Sequence, residues 1–173
     1  MRKGIHKNSG FSVTELMITI AVIGLLAAIA IPNMIGWRSG ARLQGAVENL
    51  RGDLQLAKLK AVQENTFVAV LFSGTEYFIF TDIVDVGTGN DAGEYVDGTP
   101  GERLLRRRQL ETSVSIDLGS TGFGGNLYAR FNNRGLPEDD GEVVIFSSIG
   151  KKRKRTIKLS RLGRIEIEYD EQP

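Results

Sequence analysis

A run of 21 residues from Phe11 to Ile31 holds one ionisable side chain, Glu15, and is closed by Pro32. A helix rises 1.5 Å per residue, so the run is about 31 Å long, enough for the hydrocarbon core of a bilayer. A secretory signal peptide is the plainer alternative, but its apolar region is only about 7–15 residues and ends at a small-residue cleavage site. Here the run is longer and passes into a helical pattern. Ala27-Ala28-Ile29-Ala30 supplies small residues and keeps signal-peptidase cleavage as the lesser alternative. Every charged residue before Phe11 is basic (Arg2, Lys3 and Lys7, with His6 beside them). The positive-inside rule therefore puts residues 1–10 in the cytoplasm and the rest outside. A carboxylate at a membrane helix centre costs about 2.5–3.5 kcal/mol, so Glu15 needs a reason to be there.

Composition narrows the chemistry. The 173 residues hold one ordinary domain plus an anchor. The net charge of +1 hides an asymmetry: without the three basic residues of the leader, 19 basic residues face 21 acidic ones. That balance argues against a protein bound to nucleic acid over its whole surface. The chain has no Cys, and its one His lies in the leader. Thiolate and imidazole nucleophiles, bases and zinc ligands are thus missing beyond residue 10. Carboxylate, Ser and Lys chemistry stays open by composition, but no constellation for it is present, and the chain is not expected to be an enzyme.

Gly10-Phe11-Ser12-Val13-Thr14-Glu15, followed by Leu16-Met17 and an Ile/Val/Ala/Leu run to Pro32, resembles the prepilin signature of type IV pilins and type II secretion pseudopilins. The resemblance implies that a prepilin peptidase cuts between Gly10 and Phe11 on the cytoplasmic face and methylates the new amine of Phe11. It also implies a single-pass protein of the bacterial inner membrane, later drawn into a filament. Cleavage leaves a positive amine on Phe11, and Glu15 lies one helical turn away. In a filament, Glu15 of one subunit can neutralise the Phe11 amine of a neighbour, since an unpaired charge in low dielectric is costly. The pair would then select axial register, as a polar group does in a coiled-coil core. The alternative, a Glu snorkelling to the interface near a helix end, ranks below it.

Pro32 removes a backbone donor and predicts a kink or a loosened turn. Beyond it, Leu43, Val47, Leu50, Leu54, Ala57 and Ala61 recur at spacings of 4, 3, 4, 3 and 4, one apolar helical stripe. Arg42, Glu48, Arg51, Asp53, Lys58 and Lys60 fall elsewhere around the helix. After Asn65 the period changes. Thr66–Phe72 and Tyr77–Thr81 read as a hairpin, and further strands are expected at Arg103–Leu110, Val114–Leu118, Leu127–Phe131, Glu142–Ser147, Arg155–Ser160 and Ile165–Tyr169. In the last, Ile165, Ile167 and Tyr169 alternate with Glu166, Glu168 and Asp170, a half-buried pattern. The fold class is α+β: a leader (1–10), the membrane half of a helix (11–32), its amphipathic half (33–65) and a β-rich head (66–173), whose many short strands are expected to form a β-sandwich that receives the helix.

Three segments resemble the GspH/FimT group of pilin-like proteins: Leu50–Asn65, Phe131-Asn-Asn-Arg-Gly135, and Ile157-Lys-Leu-Ser-Arg-Leu-Gly-Arg164. The resemblance implies a minor subunit at or near a filament tip, with a β-sandwich head in the periplasm and other pilin or pseudopilin subunits as partners.

Two further features carry alternatives. The acidic, Gly-rich segment Asp82–Asp97 offers hard oxygen ligands for Ca²⁺ at Asp82, Asp85, Asp91 and Asp97. Its spacing fails the EF-hand pattern, so a solvated loop is preferred and no metal or cofactor is assigned. Neither this loop nor Gly119–Gly125 has the glycine arrangement of a nucleotide site. Lys151, Lys152, Arg153, Lys154 and Arg155 form a cation run expected at a hairpin tip, able to attract phosphates. Some FimT-type proteins bind DNA through a C-terminal Gly-Arg-x-Arg element. With Arg161 and Arg164 nearby, DNA is a second reading, but Gly163-Arg-Ile-Glu166 has an acid where that element has its second Arg. A solubilising turn that blocks edge pairing ranks ahead. Arg106-Arg107-Arg108 reads as strand-edge charge.

Overall fold

A computed structural model describes residues 11–82, 93, 102–149 and 153–170, without the side chains of residues 32, 33, 35 and 170. The chain divides after Trp37 into two compact units. One helix, α1 (Val13–Glu64), supplies the first and opens the second.

In the first unit Ser12 caps α1. Leu16 N–H donates to the Ser12 carbonyl at 3.1 Å, and Glu15 N–H approaches Ser12 Oγ at 3.4 Å. The Thr19 hydroxyl donates to the Leu16 carbonyl at 2.8 Å, so it is satisfied within the helix. α1 continues through Pro32 without ending there. Pro removes one ladder bond, and the turns on either side can hold the helix across that single loss.

In the second unit the predicted stripe is the seam of the core: Leu43, Val47, Leu50, Leu54, Ala57 and Ala61 are all buried. Asn65 ends the helix in the left-handed region (φ 50°), and Thr66 N–H bonds back to the Ala61 carbonyl at 3.1 Å. That i to i−5 bond closes a Schellman-type cap.

Among the described residues nine strands follow: β1 (Val68–Ser73), β2 (Glu76–Thr81), β3 (Arg103–Gln109), β4 (Val114–Ile116), β5 (Gly122–Phe123), β6 (Tyr128–Phe131), β7 (Gly141–Ser147), β8 (Lys154–Leu159) and β9 (Ile165–Asp170). They form two antiparallel sheets, ordered β3-β2-β1-β6 and β4-β7-β8-β9, with β5 on β7. The α1 stripe shares one core with inward residues of both sheets, among them Val70, Tyr77, Phe131, Ile145 and Ile157. The α+β architecture expected from the sequence is therefore present.

Strand β5 has no counterpart among the expected elements. It is two residues long, and its return turn is Gly124-Gly125, both at positive φ (56° and 93°), closed by mutual hydrogen bonds of 2.9 Å between Phe123 and Asn126. So short a strand carries no side-chain period to detect. At the other end, Ile165 and Ile167 pack on the core as expected, but Tyr169 is exposed. Its ring takes the Arg155 guanidinium at 5.0 Å, and its hydroxyl accepts from Gln44 Nε2 at 3.4 Å.

Candidate functional site

The first unit presents an unusual surface. Val13–Ile31 has a mean hydropathy of 2.3, is long and apolar enough to cross a membrane, and buries none of itself within the molecule. Glu15 is its only charge. The residue sits in the first turn of α1, three positions after Ser12. The order Ser12-Val-Thr-Glu15 is that of a capping box, and a carboxylate there also complements the helix dipole. A local role for Glu15 was thus available in the sequence, overshadowed by its apolar setting. No described residue contacts its carboxylate. Phe11 is exposed, and Gly10 lies outside the described residues.

The three head segments that resemble the GspH/FimT group converge. Lys58 Nζ donates to the Gly163 carbonyl at 3.3 Å, and Asn133 Nδ2 donates to Asn65 Oδ1 at 3.1 Å. Gly135 and Gly163 both adopt positive φ (73° and 74°). A Cβ at Gly135 would come within 2.9 Å of Val62 Cγ2 and 3.1 Å of Lys58 Cγ. Glycine thus lets two turns close on the last turns of α1. Gly135→Ala should cost about 2 kcal/mol from backbone strain and crowding, and lower the thermal midpoint by about 5 °C. A calorimetric melt indistinguishable from the parent would show that the junction has slack.

Two buried acids organise the charges of the head, and the helical stripe alone does not reveal the first. Asp53, expected away from the apolar stripe, is buried at 2% exposure. It accepts from Tyr77 Oη at 2.7 Å, Arg106 Nη1 at 2.6 Å and Arg108 Nε at 2.8 Å. Burial, and then the Asp53 carboxylate, push the Tyr77 phenol far above its ordinary value. β3 is indeed an edge strand, but Arg106 and Arg108 do more than decorate it: they tie it to α1. Arg107 pairs outward with Glu76 at 2.7 Å.

Asp82, the first candidate calcium ligand, is fully buried and contacts Arg130 Nε at 2.6 Å. The Gly93 N–H donates to the same Asp82 oxygen at 3.0 Å. The Arg130 contact is ionic without hydrogen-bond alignment, since Arg130 Nε and Asp82 Oδ1 both lack a hydrogen-bond partner. Burial raises the Asp82 carboxyl above the usual range, against the pull of Arg130 and of the Gly93 N–H. The Arg130 guanidinium places one positive charge beside Asp82. Asp85, Asp91 and Asp97 lie outside the described residues, and among the described residues no three acids or histidines are grouped to hold a metal.

The cation run is divided. Lys151 and Lys152 lie outside the described residues, Arg153 is exposed, and Lys154 and Arg155 are half-buried within β8. Arg155 lies in a strand as expected, and β8 begins one residue earlier, so it takes Lys154 as well. Arg161 pairs with Asp140 at 3.0 Å, and Arg164 pairs with Glu166 at 2.6 Å. The acid that replaces the second Arg of the DNA-binding element thus neutralises the first.

Comparison with known proteins agrees with this architecture. Residues 46–163 match the family described as Type II transport protein GspH, and residues 5–31 match the prokaryotic N-terminal methylation motif. The chain belongs to the GspH family. It is 27% identical over 164 residues to the pilin-like protein PilA1 of Thermus thermophilus, covering 92% of this chain and 97% of that protein. Over 45 residues it is 49% identical to the type IV major pilin protein PilA of Myxococcus xanthus, a match covering 26% of this chain and only 20% of that protein. The fold is similar to that of the minor pseudopilin EpsH from the type 2 secretion system of Vibrio cholerae, with a TM-score of 0.54 at 10% identity over 76% of this chain and 99% of that one. The protein is a structural subunit of the pilin and pseudopilin class, of a type IV pilus or type II secretion apparatus, and not an enzyme.

Proposed function

We propose that this chain is a minor subunit, cut between Gly10 and Phe11 by a prepilin peptidase, methylated on the Phe11 amine, and assembled through its N-terminal helix. Before assembly, residues 11–32 anchor it in the inner membrane, with the leader in the cytoplasm and the head in the periplasm. On extraction, the apolar surface of α1 exchanges lipid for neighbouring helices. Glu15 then meets the Phe11 amine of an adjacent subunit. The observation that carries this reading is the lone carboxylate on the apolar segment Val13–Ile31, none of which is buried. Such a group is costly in lipid and is relieved by a cation that exists only after cleavage.

The processing step has a direct readout in intact-mass spectrometry of membrane-extracted protein. The expected N-terminus is Phe11 carrying one methyl group. An N-terminus near Ala30 would mark an ordinary signal peptide and remove the assembly helix from the mature protein.

A further inference from the structure

β9 closes one end of its sheet: it pairs with β8, and no strand among the described residues lies along its other side. The hydrogen-bond register shows which groups face that open edge. Ser160 N–H donates to the Arg164 carbonyl at 3.0 Å, so these two residues form a hydrogen-bonded pair. In an antiparallel ladder such pairs alternate, and the register then makes Lys158–Glu166 and Thr156–Glu168 the next ones. Ile165, Ile167 and Tyr169 therefore turn their N–H and C=O groups outward. They border a groove of about 560 Å³ whose lining also includes Arg51 of α1.

Across the outer face of this sheet, facing residues alternate in sign: Glu142 on β7 stands opposite Lys158 on β8, which stands opposite Glu166 on β9. Lys158 also pairs with Glu168 at 2.6 Å. Arg164, on the same face, pairs with Glu166 at 2.6 Å, but this edge still presents Glu166 and Glu168 against that one base, so the next strand in the row should bring a cation: opposite charges facing across strands stabilise a sheet and like charges destabilise it. A second copy of β9 does this poorly. Every antiparallel register that pairs two or more of Ile165, Ile167 and Tyr169 with the same residues of another copy places Glu166 or Glu168 opposite a Glu of that copy, in the closely spaced non-hydrogen-bonded position.

We propose that the open edge of β9 docks an extended strand of a different polypeptide, with apolar residues at alternate positions and Lys or Arg between them. The apolar residues would continue the row of Ile165 and Ile167, and the cations would face Glu166 and Glu168. The backbone groups of β9 supply the hydrogen bonds, as in strand addition to other sheet edges. This surface does not depend on how Glu15 acts.

The test uses the full chain in detergent micelles and two synthetic peptides of about eight residues, one alternating Val with Lys and the other Val with Glu. The Val/Lys peptide should bind about tenfold tighter. It should slow hydrogen exchange at the Ile165, Ile167 and Tyr169 amides, whereas the amides of Glu166 and Glu168, already bonded to β8, should change little. The double variant Glu166→Lys, Glu168→Lys alters exposed side chains and should reverse the preference between the peptides. Equal affinity for both peptides, protection elsewhere on the head, or protection of the same three amides by self-association without peptide would each overturn the proposal.

Discussion

Asp53→Ala should lower the thermal midpoint of the head by about 10 °C, a loss of about 3 kcal/mol. The carboxylate is buried and is shared by a tyrosine on β2 and two arginines on β3. Its removal leaves the buried Tyr77 hydroxyl without its acceptor and both guanidinium groups without their counter-charge. Breaking a buried ion pair by deleting one partner typically costs about 3–5 kcal/mol. The lower end applies here because the Arg106 and Arg108 side chains remain 43% and 33% exposed and can turn to water. The damage should be local first: β3 is an edge strand, so its amides should exchange before those of β1 and β2. Asp53→Asn keeps an acceptor for Tyr77 but loses the charge, and should fall between the parent and Asp53→Ala. A midpoint within about 2 °C of the parent for Asp53→Ala would mean that the arginines are fully solvated without loss.

The contrast between Asp53 and its neighbour Leu54 shows what the linear pattern can and cannot carry. Leu54 belongs to a 3.6-residue period, so its burial follows from its own surroundings in the chain. Asp53 is buried because groups 24, 53 and 55 residues away come back to it. No local period records a partner at that distance. Strand positions were legible for the same reason as Leu54: β-branched and aromatic residues bounded by turn residues mark β1, β2 and β7 within a residue or two. The two-residue β5 left no such mark. Lys154 shows the converse error: it reads as part of one cation run, while β8 begins with it. The apolar anchor with its one acid was legible because a bilayer-length run tolerates few alternatives. The place of Glu15 in the first turn of α1 adds a local role for the same carboxylate, which there complements the helix dipole.

That double demand decides how Glu15 must be tested. Glu15→Ala removes both the capping-box side chain and the charge, so a defect in it would be ambiguous. Glu15→Gln retains a side chain suited to a capping box but cannot neutralise an amine. If the residue serves only the start of α1, Gln should substitute with little effect. If it answers the Phe11 amine of a neighbouring subunit, Gln should fail almost as completely as Ala, because a buried ammonium is left without its counter-charge. Under the proposed function, insertion and cleavage precede assembly and should proceed in both variants. The most direct measurement is the share of each processed protein recovered in sheared filaments against the share left in the membrane. The expected result is that Glu15→Gln is cut at Gly10–Phe11, remains in the membrane and is depleted from filaments by about tenfold or more, as a lost pair worth over 1.4 kcal/mol requires. Recovery of Glu15→Gln in filaments at the parental level would contradict the charge pair and leave Glu15 as a helix cap.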